Sequence, residues 1–261
     1  DKSYFQNEVE ARPEIKKLND YRIDNKDIFQ RSLNTRYRLL EYGGITVSNA
    51  LIPKAGTSQI NLDYDSKGNL FGFYGYSFSD LFQLELSTGF FNDVNLVDNE
   101  YSSFQNTYLS KNNLNYKIGG KLLITNPKNT DPFWITVRTS LGSNDQINQG
   151  YLITEVINTF RFNDRFTFNF TPKYFYSEMK SFGGVGVSSY INLLDNLQLI
   201  PEMNISLNSD SDFASSLGLR YSFQQGQSID LYYSNSAGAQ DIGQLLEDKK
   251  YRFGIRLNFL Y

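Results

Sequence analysis

The chain has 261 residues, a formal charge of −3, no cysteine and no histidine. The missing histidine rules out Ser-His-Asp and Cys-His catalysis and His-ligated metal sites, and no run of about 18 apolar residues supplies a helical membrane span. A mean hydropathy of −0.45 beside 19 Tyr and 21 Phe fits elements that are polar on one face and aromatic on the other.

No Met opens the chain and no signal-peptide pattern is visible, so Asp1 reads as a mature or trimmed start. Residues 1–56 hold ten of the 25 Lys and Arg residues and show no alternation. Within them, residues 27–40 read as an amphipathic helix, with Phe29, Leu33, Tyr37 and Leu40 at helical spacing. Asp27 or Asn25 caps its start, Gly43-Gly44 stops it, and Arg31, Arg36 and Arg38 follow the other side.

From residue 57 a period of two takes over, the mark of strands with one apolar and one wet face. Residues 58–64 set Ile60, Leu62 and Tyr64 against Gln59, Asn61 and Asp63; residues 70–78 are aromatic on both faces. Further strands are predicted at 81–91, 114–124, 133–141, 151–162, 165–176, 183–193, 197–207, 213–223, 228–235 and 251–261, twelve in all. Their connections alternate. Residues 79–80, 163–164, 194–196 and 224–227 are short, whereas 92–113, 142–150 and 236–250 are long. A closed antiparallel transmembrane barrel has this property, with short turns on the side of both termini and long loops on the other. Pro172 and Pro201 fall inside strands, where bulges are the expected accommodation, and Asn158 stands on an outward face.

The last strand, YRFGIRLNFLY, alternates Tyr251, Phe253, Ile255, Leu257, Phe259 and Tyr261 with Arg252, Gly254, Arg256 and Asn258. It resembles the C-terminal insertion signal of Gram-negative outer-membrane β-barrel proteins, with Arg252, Gly254, Leu257 and Phe259 in the signal positions and Tyr261 at the end. The resemblance implies an all-β fold: an antiparallel transmembrane β-barrel of 12 strands in residues 57–261, preceded by a periplasmic or plugging segment in residues 1–56. It further implies the outer membrane as location, its lipid and lipopolysaccharide as surroundings, and the barrel assembly machinery as partner. Residues 45–60 resemble the lead-in to a first barrel strand, with a Pro-containing turn, and imply nothing functional.

Strand parity then sorts the charges. The inward bases are Lys117, Lys121, Arg138, Arg161, Arg165, Lys173, Arg220, Arg252 and Arg256, and the inward acids Asp63, Glu85, Glu155, Glu202 and Asp230. A net positive interior points to a narrow passive channel for small polar, preferably anionic, solutes, because a low-dielectric wall focuses the field of the surplus bases. The competing expectation is a closed structural or envelope-assembly barrel, its charges paired and residues 1–44 docking a periplasmic partner. The N-terminal helix either packs beneath the barrel or enters it, its arginines meeting Glu85, Glu155 or Glu202. The 92–113 loop is expected to fold inward, bringing Tyr101, Tyr108, Asn106 and Asn112 toward a solute. Gly183, Gly184 and Gly186 are expected to relieve crowding, since no strand-to-helix context suits a phosphate loop. Enzymatic activity, a cofactor and nucleic-acid binding are not expected; the sequence pI is near 5.2.

Overall fold

The computed structural model describes residues 42–97, 101–111, 113–125, 133–144, 150–163, 165–207, 213–224, 226–239 and 242–261. The expected helix at 27–40 lies outside the described residues. Twelve strands follow one another: β1 (Ser58–Asp65), β2 (Leu70–Ser79), β3 (Phe82–Phe91), β4 (Asn113–Thr125), β5 (Phe133–Asn144), β6 (Gly150–Arg161), β7 (Phe166–Ser177), β8 (Ser181–Leu194), β9 (Leu197–Ser206), β10 (Phe213–Gln224), β11 (Gln227–Ser236) and β12 (Glu247–Leu260). Among the described residues, one short helix, α1 (Ser102–Tyr108), lies in the β3–β4 connection.

Every strand pairs antiparallel with its chain neighbours, and β1 closes the sheet on β12 with Ile60 opposite Phe259 and Asp63 opposite Arg256. Closure leaves no sheet edge, the condition for strands to cross a bilayer with every main-chain group paired internally. The outer face carries the apolar set: Leu62, Tyr64, Ile118, Leu122, Leu217, Leu231, Ile255 and their like are all exposed. Tyr176, Tyr221 and Tyr233 stand among them as aromatic anchors. The inner face carries Asn, Gln, Ser, Thr and the charges. The wall is thus inside-out relative to a water-soluble protein, and it is built to sit in lipid.

The two prolines are accommodated differently from the expectation. Pro172 and Pro201 face outward, half-exposed, and neither sits at a register shift. The shifts lie near strand ends instead, as at Asn192/Leu194 and Ser222/Gln224. At Pro172 the β6–β7 ladder lacks paired rungs between Glu155↔Lys173 and Asn158↔Phe170. Proline has no N–H to offer Val156 across that seam. The Asn158 amide supplies the missing donor, with Nδ2 donating to Val156 O at 3.1 Å and to Phe170 O at 3.0 Å. An asparagine on the lipid face therefore repairs the ladder that the proline breaks.

Candidate functional site

Alternate residues of each strand point inward, so charges on neighbouring strands meet as direct ladder partners. Arg220 lies opposite Asp230, Asp230 opposite Arg256, and Arg256 opposite Asp63. Lys121, Arg138, Glu155 and Lys173 form a second row. Arg220 grips Asp230 bidentately, Nε to Oδ1 and Nη2 to Oδ2, each at 2.7 Å. Arg256 donates to Asp63 Oδ2 from Nε at 2.8 Å and Nη2 at 2.6 Å, while Tyr232 Oη donates to Asp63 Oδ1 at 2.5 Å. Arg138 bridges Glu85 at 2.6 Å and Glu155 at 3.0 Å. Such fork-to-carboxylate geometry is what permits charges to be buried in pairs.

Of the expected lining residues, Lys117, Lys121, Arg138, Lys173, Arg220, Arg252, Arg256, Glu85, Glu155 and Glu202 are buried inside the wall. Arg161 ends β6 half-buried, and Arg165 lies exposed in the β6–β7 turn. Asp65 and Asp248 join the interior, where Arg252 reaches Asp65 at 3.4 Å and Lys67 reaches Asp248 at 2.6 Å. Among the described residues, seven buried carboxylates then face seven buried bases and the half-buried Lys67, so the expected surplus of bases nearly vanishes. The difference arises because Arg161 and Arg165 lie at and beyond the end of β6, because β12 begins at Glu247, four residues earlier than alternation alone suggests, and because β1 runs on to Asp65.

The middle of the lumen is occupied by residues 42–52, hereafter the strap. Tyr42, Gly43, Gly44, Ile45, Thr46, Val47, Asn49 and Ala50 lie buried against the inner wall. Glu202 accepts from Ile45 N at 2.9 Å, Thr46 N at 2.6 Å and Thr46 Oγ1 at 2.8 Å. The bases donate to strap carbonyls: Arg220 to Gly43 O (2.8 Å), Arg256 to Gly44 O (2.7 Å) and Ile45 O (2.9 Å), Lys173 to Thr46 O (2.8 Å), and Lys121 to Leu51 O (2.5 Å). Thr136 donates to Ala50 O, and Thr159 accepts from Ala50 N. Two inward glycines make room: a Cβ on Gly186 would stand 3.1 Å from Val47 Cγ2, and one on Gly218 3.2 Å from Ile45 Cγ1. Gly186 thus relieves crowding as expected. The carboxylates expected to meet helix arginines are engaged otherwise, Glu85 and Glu155 by Arg138 and Glu202 by strap main chain.

The end of the barrel opposite the chain terminus at Tyr261 is closed by a second feature. Phe91 at the end of β3 and Val94, Leu96, Tyr101, Tyr108 and Leu109 of the β3–β4 connection join Ala237, Ile242, Leu245 and Leu246 of the β11–β12 connection. Together they pack on inward Phe71, Tyr151, Ile153, Phe175 and Phe182 in one apolar cluster. The β3–β4 connection is stitched main chain to main chain to the start of β12, Val97 N to Glu247 O at 3.0 Å and Lys249 N to Asn95 O at 2.8 Å. The loop does fold inward as expected, but Tyr101 and Tyr108 are fully buried in this cap and not turned toward a solute, Asn106 is exposed, and Asn112 lies outside the described residues. Burial raises the Tyr108 phenol above its ordinary value, which keeps it the donor to Gly150 O at 3.3 Å. Strap and cap meet at Lys173, whose Nζ donates to Thr46 O and to Gln244 Oε1. The inward aromatics at the strand ends were the sequence signal for the cap, because a water-filled mouth has no use for Phe71, Phe175 and Phe182.

The sequence matches no protein-family model and no curated protein. Among solved structures, the KdgM porin matches with a TM-score of 0.56 at 8% identity, over 78% of this chain and 98% of that one. A second KdgM structure, in complex with disordered oligogalacturonate, gives 0.57 at 8% identity over the same shares of the two chains. The COG4313 outer membrane channel from Pseudomonas putida F1 gives 0.54 at 7% identity, over 81% and 98%. At such identity the likeness is one of fold, and it agrees with closure, strand parity and the apolar outer face: this chain folds as an outer-membrane β-barrel.

Proposed function

We propose that the protein is a non-enzymatic outer-membrane channel for small polar solutes, preferentially small anions, held shut by the strap and by the cap that Lys173 ties to it. The observation that carries this reading is the use of the lumenal bases. Arg220, Arg256, Lys173 and Lys121 each turn a donor to a strap carbonyl oxygen. Once the strap leaves, those donors face the conduit, where a low-dielectric wall strengthens their pull on an anion. The fold shared with KdgM and the COG4313 channel supports the reading, and oligogalacturonate, present in a KdgM complex, is the first larger solute to try.

Conductance of the refolded full chain in a planar bilayer under a KCl gradient tests it. Rare discrete steps in the native chain, frequent steps after Gly44→Val displaces the strap, and a chloride-favouring reversal potential are expected. Replacing Arg138, Arg220 and Arg256 by Gln should abolish that preference, and an unchanged reversal potential would overturn the assignment. The filled lumen and folded cap favour a second reading, a closed envelope-assembly barrel. Silence of both native and Gly44→Val barrels, each shown to be folded, would select it.

A further inference from the structure

The wall reads the strap by its main chain. Three strap amides donate to the wall, from Ile45 and Thr46 to Glu202 and from Ala50 to Thr159. Seven strap carbonyls accept from it, those of Gly43, Gly44, Ile45, Thr46, Val47, Ala50 and Leu51. Among the described residues, three hydrogen bonds to the wall use strap side chains, two at Thr46 Oγ1 and one at Ser48 Oγ, and the Arg220 guanidinium lies 5.4 Å over the Tyr42 ring. Ten main-chain hydrogen bonds against three from side chains mean that most of the recognition elements are those of any polypeptide.

The signs of the wall groups agree. Carbonyls meet cations and hydroxyls, and N–H groups meet a carboxylate and a hydroxyl, which complements the two ends of the amide dipole. A polyanion would find Glu202, buried and unable to donate while ionised, in the middle of its path. Side-chain selection is coarse: Ile45 and Val47, two residues apart, fall over Gly218 and Gly186. Main-chain hydrogen bonds for affinity and small recesses for alternate side chains for selectivity are the logic by which extended peptides are bound elsewhere.

We propose that the middle of the lumen is a receptor site for an extended peptide, filled here by the chain's own residues 42–52, and that a peptide of the same kind binds it in trans once the strap is displaced. The proposal rests on the channel reading for the peptide's access to the lumen. Binding itself follows from the wall geometry alone.

The test uses the full chain carrying Gly44→Val, refolded in detergent, and a fluorescently labelled synthetic peptide of the sequence YGGITVSNALI, titrated by anisotropy. Saturable binding is expected, weakened at least ten-fold by Glu202→Gln in the same chain. It should also weaken at least ten-fold when the peptide amides corresponding to Ile45 and Thr46 are N-methylated, and unlabelled oligogalacturonate should not compete. No saturable binding, equal binding of the N-methylated peptide, or displacement by oligogalacturonate would overturn the proposal. If Gly44→Val does not refold, Thr46→Pro, which deletes one donor to Glu202 together with its hydroxyl, exposes the same site. Anisotropy does not depend on conduction. A silent barrel that binds the peptide defeats the channel reading alone, and a conducting barrel that ignores the peptide defeats this one alone.

Discussion

Substituting Gly44 by Val should expel the strap while leaving the wall intact. A Cβ at Gly44 would stand 1.7 Å from Glu202 Oε1, 2.9 Å from Glu202 Cδ and 2.7 Å from the Val47 carbonyl oxygen. The carboxylate has rotamers to escape into, but it holds Ile45 N, Thr46 N and Thr46 Oγ1, and swinging away breaks all three bonds. At about 1.5–3 kcal/mol net for each hydrogen bond to a charged group, the strap loses on the order of 5 kcal/mol. The Val47 carbonyl is main chain and cannot yield cheaply. Against this, burial of Ile45 and Val47 contributes roughly 3–5 kcal/mol toward keeping the strap in place. That burial is untouched by the substitution, so the docking equilibrium should shift by the lost bonds alone, about 10³–10⁴-fold toward the released strap, since each 1.4 kcal/mol is about tenfold. Hydrogen exchange on the refolded barrel reads the outcome directly. The Ile45, Thr46 and Ala50 amides should exchange quickly in the variant and slowly in the native chain, with β1 and β12 amides protected in both. Retained protection at Ile45 and Thr46 would refute the reasoning.

Three further outcomes follow from named contacts. Asn158→Leu should cost about 1–3 kcal/mol of unfolding free energy in micelles, the penalty for an unpaired carbonyl, and far less in a Pro172→Val background that restores the main-chain N–H; equal costs in both would end the repair argument. Arg220→Met should destabilise the barrel by about 3–5 kcal/mol, because it strips the fully buried Asp230 of its bidentate partner, and the urea midpoint of Arg220→Met/Asp230→Asn should recover much of that. Gly254→Ala should slow or prevent refolding into detergent because its Cβ would fall 2.0 Å from Tyr232 Cζ, and Tyr232→Ser should rescue it. Failure of that rescue would show that this glycine serves the insertion signal and not lumenal packing.

The wall was legible in the sequence because its physics is local. A strand with lipid on one side and a polar lumen on the other must alternate, and a barrel with its termini on one side sorts its loops by length. Hence the twelve strands and the inward placement of Arg138, Lys173, Arg220 and Arg256 could be read residue by residue. Strand ends were less legible, and Asp65 and Asp248 were missed because alternation weakens where β1 and β12 pass from the wall into their loops. What fills the lumen was legible only as one alternative, that part of residues 1–56 plugs it; which residues do so, and by what contacts, was not. The strap meets Glu202 across 157 residues of chain through main-chain N–H groups, which every residue but proline possesses and which leave no mark on composition or period. The cap likewise forms only when the β3–β4 and β11–β12 connections are brought to one mouth, where apolar residues that alternate with nothing find each other. Sequence determined the wall by local periodicity; closure of the barrel, by setting distant segments face to face, decided what stands inside it.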